Sequence, residues 1–464
     1  MEYRTAQERR ALGQARRKQV GRQQHGEAKI KTRTATALEL VELSIRDRVK
    51  PLVALKYQRM AESPFGYFRG AVPVMAADLA ALPTTGLLAQ LCGDAHVRNL
   101  GAYAAPDGRL VFDLNDFDET IRGPFEWDLK RMAASLVLAG REAGHKESAA
   151  RHAAELCIAH YCAEMRALAM MPMLEVARHQ VHGINHNHPV HAALFKAERA
   201  TPQHTLEQLT AVVHAEKNTA AQAAPEKMAI KKAVLKKTFL KLAVPAEDRR
   251  FKESAPVLTR VSEAQAAEVL AALVPYQQRL EAQRQHLLSF YKPVDVAFKV
   301  VGTGSVGLRD YCIYFEGNGH EDPLFLQVKE EPDSAYTTYL PEAHPPAHNG
   351  ERVVLGQREL QMQSDPFLGW TEMDGRHYLV RQLNDHKGSI EMEDLAGGGL
   401  LAYAEVCGEL LARGHARSAD PIELAGYLGS GNGFAEAIAR FGSLYADQTE
   451  KDWEQLKRSG KAKA

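Results

Sequence analysis

Residues Leu91–Arg131 read LCGDAHVRNLGAYAAPDGRLVFDLNDFDETIRGPFEWDLKR and hold two short polar clusters, each behind an apolar run. The first cluster carries Asp94, His96 and Asn99; the second carries Asp116 and Asp118. Between them Pro106-Asp107-Gly108 is a turn signal, and Arg109–Leu114 has the composition of a strand. The stretch therefore predicts a hairpin with carboxylates and an Asn carboxamide gathered at its ends. Such oxygen donors suit a hard divalent cation, and magnesium takes one or two carboxylates while leaving other positions to water and substrate phosphates. Phosphoryl transfer uses these parts: one Asp to orient or deprotonate an acceptor, with an Asn and a second Asp on the metal. Asp, Asn and Gly also build hairpin turns without any chemistry. Both clusters in this order, each led by an apolar strand, favour the site over the bare turn.

Composition narrows the rest. A chain of 464 residues can bury a large core and is expected to form two lobes. Its 58 Lys and Arg balance its 58 Asp and Glu, so no global charge calls for nucleic acid or an anionic membrane. The five cysteines are scattered and form no C-x-x-C pair, which argues against structural zinc and for a reducing cytoplasm. No apolar run reaches spanning length, and the basic N-terminal stretch lacks the apolar segment of a secretory signal.

Upstream of the hairpin, residues 1–35 form a basic arm with Arg9, Arg10, Arg16, Arg17, Lys18 and Arg22. It is expected as a frayed or solvated surface helix rather than a nucleic-acid contact. Apolar spacing predicts a helix over Ala37–Met60, broken by Ser63-Pro64-Phe65-Gly66-Tyr67-Phe68-Arg69-Gly70. The aromatics there read as core filling or, with Arg69, as a contact to a nucleotide or phosphate. Downstream, helices are predicted from Gly123 into Leu138, over Lys146–Leu174, through most of Thr205–Val244 and over Ser262–Leu288. His179, His182, His186, His188 and His191 lie in a loop without partners at fixed spacing, and read as solvated rather than metal-binding.

A second constellation begins at residue 295. Asp295–Val301 is a strand by composition, Gly302-Thr303-Gly304-Ser305-Val306-Gly307 follows, and strands resume at Tyr311–Glu316 and Leu324–Lys329. A dinucleotide-binding loop would open a helix after its last glycine. Strand residues resume here instead, which fits a β-hairpin flap whose amides approach phosphate oxygens. Lys329 then supplies a point charge for the phosphates. An ordinary Gly-rich hairpin with an edge Lys is the alternative. A helix over Val353–Met362 offers Glu359 as an acid for Lys329, with Glu351 and Glu330 competing. Two more strands flank Asp374-Gly375, a helix over Leu400–Arg413 is stopped by Gly414, and a last helix spans Phe434–Leu456. His415 and Arg417, just past Gly414, either reach the site or serve a helix C-terminus.

The Gly93, Asp94, His96 and Asn99 spacing resembles the G-D-x-H-x-x-N loop of aminoglycoside and choline phosphotransferases. Asp116-Phe117-Asp118 sits where kinases carry the metal-binding D-F-G triplet, with Asp118 in place of the glycine. LCGDAHVRNLG, VFDLNDFDETIRGPFEWDLKRMAASL, VGTGSVGLRDY, PLFLQVKE, LLARGHARSAD and YADQTEKDW resemble a bacterial family, domain of unknown function 2252 (DUF2252), over all but the arm and the last residues. These resemblances imply an α+β, protein-kinase-like two-lobe fold in circularly permuted order. A helical lobe with the catalytic hairpin comes first (36–290), the Gly-rich antiparallel sheet lobe next (291–395), and helices of 396–464 return to the helical lobe. They imply catalytic roles for Asp94 and His96 and metal binding by Asn99, Asp116 and Asp118. ATP would lie on Gly302, Thr303, Gly304, Ser305, Gly307 and Lys329, and Asp128, Glu359, His415 and Arg417 would give support. Asp128 would do so by accepting backbone N–H groups of the catalytic loop. The expected function is ATP- and Mg2+-dependent phosphoryl transfer to a small-molecule hydroxyl. The alternatives are a non-catalytic nucleotide-binding regulator, nucleotidyl transfer, and a metallophosphoesterase. The last would need further His and Asp clusters.

Overall fold

The computed structural model describes residues 3–28, 33, 35–179, 189–212, 249–383 and 386–463. His182, His186, His188 and most of the helix expected over Thr205–Val244 lie outside these described residues.

The fold is α+β. Its largest sheet is antiparallel, with strands in the order Gly369–Met373, Arg376–Gln382, Pro323–Glu330, Asp310–Glu316, Lys292–Lys299 and Leu258–Arg260. Side chains alternate between the faces of a strand, and this sets the use of each face. Leu324, Leu326 and Val328 point to one side, where they join Ile313, Phe315 and Val380 under Val269, Leu273 and Tyr276 of the Glu263–Arg279 helix. Phe325, Gln327 and Lys329 point to the other. Phe325 packs there with Val294, Cys312 and Tyr314. Toward the glycine-rich loop that face turns polar, with Lys329 opposite Asp310 and Gln327 opposite Arg381 across the strands.

The predicted hairpin forms from Leu100–Ala104 and Leu110–Leu114, with Gly388–Ser389 on the free edge of the first. Leu88–Leu91 pairs with Ile121–Pro124, so the chain enters and leaves the hairpin side by side. Gly93 closes that junction. Its φ is +82°, and a Cβ there would run into the backbone of Glu119. Only glycine meets both demands.

Beneath the hairpin lies the main core. The Glu126–Glu142, Glu147–Leu168, Gly399–Ser418 and Asn432–Arg458 helices pack together in one apolar cluster. The first is buried from Glu126 through Gly140, so it is a central helix rather than an amphipathic surface one. No helix among the described residues is long and apolar enough to cross a membrane.

Several expectations need correction. The helix expected over Ala37–Met60 is two, Ala37–Ser44 and Lys50–Ala61, because Pro51 starts a new first turn. Gly414 does not stop its helix, which runs on to Ser418; the missing side chain admits Leu360 of a neighbouring helix. The basic arm is a largely exposed surface helix, as expected, but it is capped and docked rather than frayed. Its Ala6–Gln19 helix carries a Thr5–Glu8 capping box and lies on the Pro421–Leu428 helix. A side chain at Gly13 would collide with Glu423 O, so the two backbones cross closely. Arg17 and Arg22 donate to the carbonyls of Gly426, Tyr427 and Leu428 at the C-terminal end of that helix, where cations are favoured.

The arm also brings a pH-dependent contact. His25 is 1% exposed and bonds Tyr427 Oη through Nε2 at 2.7 Å. Burial, then the nearby Lys130, pushes its imidazole down to about 3. In the unfolded chain His titrates near 6.5. Between these values the unfolded state binds a proton that the native state refuses, so stability falls as pH drops from 6.5 toward 3. The slope for this one group is up to about 1.4 kcal/mol per pH unit. His25→Phe should flatten that part of the curve, measured by urea unfolding at a series of pH values.

Candidate active site

The polar face of the sheet and both ends of the hairpin enclose one cavity of about 880 Å³. Asp94, His96, Asn99, Asp116 and Asp118 line it from the hairpin; Gly302, Gly304, Ser305 and Lys329 line it from the sheet. Thr303 and Gly307 do not line it. They turn their carbonyls to Lys56 and to Val49 N at the back of the loop.

The two sides meet through a buried ion pair. Lys329 Nζ bonds Asp118 Oδ2, which also accepts from Ser305 Oγ at 3.1 Å. Glu331, just past the end of the strand, lies 3.8 Å from the ammonium. Burial alone would push the Asp118 carboxyl up. Lys329, aided by Arg381 and the Ser305 bond, outweighs it and holds the group well below the usual carboxylate range. Asp116 has no such direct partner among the described residues, and burial together with Asp118 pushes it up. Asp310, facing Lys329 across the strands, is pushed up to about 7 by burial against the pull of Lys329 and Gln327.

The Asp94 loop is held from below by the Glu126–Glu142 helix. Asp128 accepts the N–H groups of Cys92 at 2.8 Å and Gly93 at 3.0 Å. Arg131, three residues on and so on the same helical face, donates Nε to Asp94 Oδ1 at 2.6 Å. Burial raises the Asp94 carboxyl, with Arg131 and Arg69 opposing. Asn99 donates Nδ2 to Asp94 O at 2.9 Å, and its side-chain oxygen accepts no hydrogen bond among the described residues. His96 Nδ1 accepts the Arg98 N–H at 3.1 Å, so the ring proton sits on Nε2, 3.7 Å from Asp94 Oδ2. Burial pushes this imidazole well down and keeps it neutral. His415 lies behind the loop, not in the cavity: it touches Asp128 Oδ2 at 3.4 Å and Tyr161 Oη at 2.9 Å.

The glycine-rich loop is gripped by cations that sequence reasoning missed. Lys56 Nζ takes the carbonyls of Thr303 and Gly304, Arg59 takes Val301 O at 2.8 Å, and Arg48 takes Val306 O at 2.5 Å. With its carbonyls drawn off, the loop keeps the N–H groups of Gly302, Thr303, Gly304, Val306 and Gly307 without a protein acceptor among the described residues. Nothing in the local sequence links residues 48–59 to a loop some 250 positions away. Arg131 was the legible one, by its spacing from Asp128.

Two assignments are corrected. Glu359 does not pair with Lys329. It is exposed and faces Arg122 at 3.9 Å, because the inward faces of the Asn349–Leu360 helix are taken by Arg352, Val353, Val354 and Gln357. Inward it carries Arg352, buried behind the cavity lining, which donates to Thr120 O at 2.7 Å and Pro332 O at 3.0 Å and whose charge acts on Glu331. Arg417 does not reach the cavity either. It donates to Leu360 O at 2.8 Å, the C-terminus of that same helix, and to His179 O at 2.9 Å. His348, Glu372 and His377, the last of which lines the cavity, bring ligand atoms within 4.8 Å of one another. The two imidazoles accept the Glu351 and Asn349 N–H groups, so they serve as caps of the Asn349–Leu360 helix.

Fold and site define an α+β protein in which an antiparallel sheet and a polar hairpin close over one carboxylate-lined cavity. The chain belongs to the family described as uncharacterized protein conserved in bacteria (DUF2252), matched over residues 48–459. The docked N-terminal helix falls outside that match. Searches of curated proteins and of solved structures found no match to the chain.

Proposed function

We propose that this protein is an ATP- and magnesium-dependent phosphotransferase on a circularly permuted kinase-like fold, acting on a small-molecule hydroxyl. The observation that carries this reading is the contact of Lys329 with Asp118 in a cavity shared with Asp94, Asn99 and Asp116. Residues 211 (Asp118) to 235 (Asp94) positions from Lys329 along the chain supply the two halves of the proposed phosphoryl-transfer site. The cavity volume lies within the range of small-ligand sites.

The permuted order has its own support. Ser418, at the end of the Gly399–Ser418 helix, accepts the Gln90 N–H through Oγ at 3.1 Å and donates to helix carbonyls. The end of that helix thus abuts the strand leading to Asp94. Joining them would restore the usual kinase order without moving either element.

The donor set fits magnesium, a cation that prefers oxygen. Asp116 and the Asn99 side-chain oxygen would hold it, with Asp118 joining once Lys329 turns to phosphate. When bound, the ion neutralises phosphate charge and orients the phosphate oxygens. The chain's own groups do the rest. The acceptor-less amides of Gly302 and Gly304, which line the cavity, and Lys329 hold the triphosphate, and Asp94 takes the acceptor proton. The acceptor oxygen bonds to the terminal phosphorus as the bond to the bridging oxygen breaks, its electron pair leaving with ADP. Rate then comes from positioning and fixed charge.

Thermal-shift titration with ATP, with and without magnesium, together with an ATP hydrolysis assay, tests the proposal. Magnesium-dependent stabilisation with turnover is expected. Stabilisation without turnover would favour a nucleotide-binding regulator, and release of pyrophosphate would favour nucleotidyl transfer. No response to ATP would end the reading.

A further inference from the structure

Most cations around the cavity are already engaged. Lys329 is held by Asp118, Arg131 by Asp94, and Arg98 by Glu391 at 2.6 Å, while Lys56, Arg59 and Arg48 hold loop carbonyls. Arg69 is different. It lines the cavity, yet its guanidinium makes no hydrogen bond or ion pair among the described residues, and its Nε is shielded from solvent without a partner. Such a group costs stability unless something binds it.

Its position is also specific. The Pro64–Gly70 helix that carries it is tied to the Asp94 loop through Arg131, which bonds Asp94 and Phe68 O and lies 4.2 Å over the Phe68 ring. The next residue, Arg69, reaches toward the sheet: a methyl placed on Gly302 would lie 3.6 Å from Arg69 Nη2. The charge acts on both Asp94 and Asp116. Lys299 and Lys387 also lack side-chain partners among the described residues, but Lys387 is grouped with Arg381, Lys299 and Lys329 on the sheet side. Arg69 stands at the seam between the proton-accepting Asp and the glycine loop.

Resting on the phosphotransferase reading, we infer that Arg69 is a catalytic residue supplied in cis, whose guanidinium binds the terminal phosphoryl group while it is transferred. It donates to the equatorial oxygens as the acceptor oxygen–phosphorus bond forms and the bond to the ADP oxygen breaks, the acceptor proton passing to Asp94. A planar fork of donors suits that charge better than an ammonium.

The test compares Mg-ADP alone with Mg-ADP plus aluminium fluoride, a mimic of the transferring phosphoryl group, in wild type, Arg69→Ala and Arg69→Lys. Wild type should bind ADP more tightly with the fluoride present. Arg69→Ala should lose that enhancement, keep its affinity for Mg-ADP within about threefold, and lose ATP hydrolysis by on the order of 10³-fold. Arg69→Lys should recover only part, and it carries the comparison by itself if the alanine variant does not fold. Full enhancement in either variant, or equal weakening of ADP with and without fluoride, overturns the role of Arg69. Wild-type protein that binds no Mg-ADP overturns the phosphotransferase reading itself, a result visible before any variant is made.

Discussion

Asp116→Ala is expected to lose Mg-ATP turnover by roughly 10²–10³-fold or more while the protein stays folded. The two halves of this result have separate causes. Asp116 has no direct cationic partner among the described residues, and burial and Asp118 both work against its charge. In the absence of ligand it is therefore a strained group, and removing it relieves repulsion with Asp118. The thermal midpoint of the variant should equal or exceed that of wild type. In the proposed complex the same charge is what a cation and triphosphate need, so its loss falls on catalysis. Wild-type-like turnover by the alanine variant would refute the assignment. Lost turnover with a lowered midpoint would instead mark Asp116 as a structural group.

The largest stability effect is expected at Arg131. Its side chain is wholly buried, donates to Asp94 Oδ1 and to Phe68 O at 3.1 Å, and lies over the Phe68 ring. Arg131→Met keeps much of the apolar stem but strands the Asp94 carboxylate. Removing one partner of a buried pair costs about 3–5 kcal/mol, mainly because the other charge is left uncompensated. Asp94→Asn in the same background removes that charge, so the double variant should recover part of the loss. Urea unfolding of the four proteins gives the coupling energy. A coupling below about 0.5 kcal/mol would mean that the Asp94 loop is held by Asp128 and packing alone.

These two residues show how unevenly the site could be read from the chain. The place of Asp116 in the cavity was legible from its neighbours: an apolar strand before it, a turn after it, a matching cluster just upstream. Asp128 and Arg131 were legible in principle through helical spacing, and only the first was read. Glu359 was misread because spacing places a residue on a helix without saying which face the sheet covers. That face shows Arg352, and the acid paired with Lys329 is Asp118, with Glu331 lying 3.8 Å away just past the end of the strand.

By itself the sequence determined the local elements: the hairpin with its carboxylates, the strand pattern that turns Lys329 away from Val328, the glycines where backbone must pass close, and the caps at Thr5, Thr36 and Ser63. Each follows from period, steric freedom or a short-range hydrogen bond, so a few residues suffice to specify it. Tertiary structure alone decided what meets across the cavity: Lys329 on Asp118, Lys56 on the glycine loop, Arg69 without a partner among the described residues, and the basic arm folded onto the Pro421–Leu428 helix. Those outcomes depend on how whole faces bury against one another, and packing is a property of the assembled surfaces that no window along the chain contains.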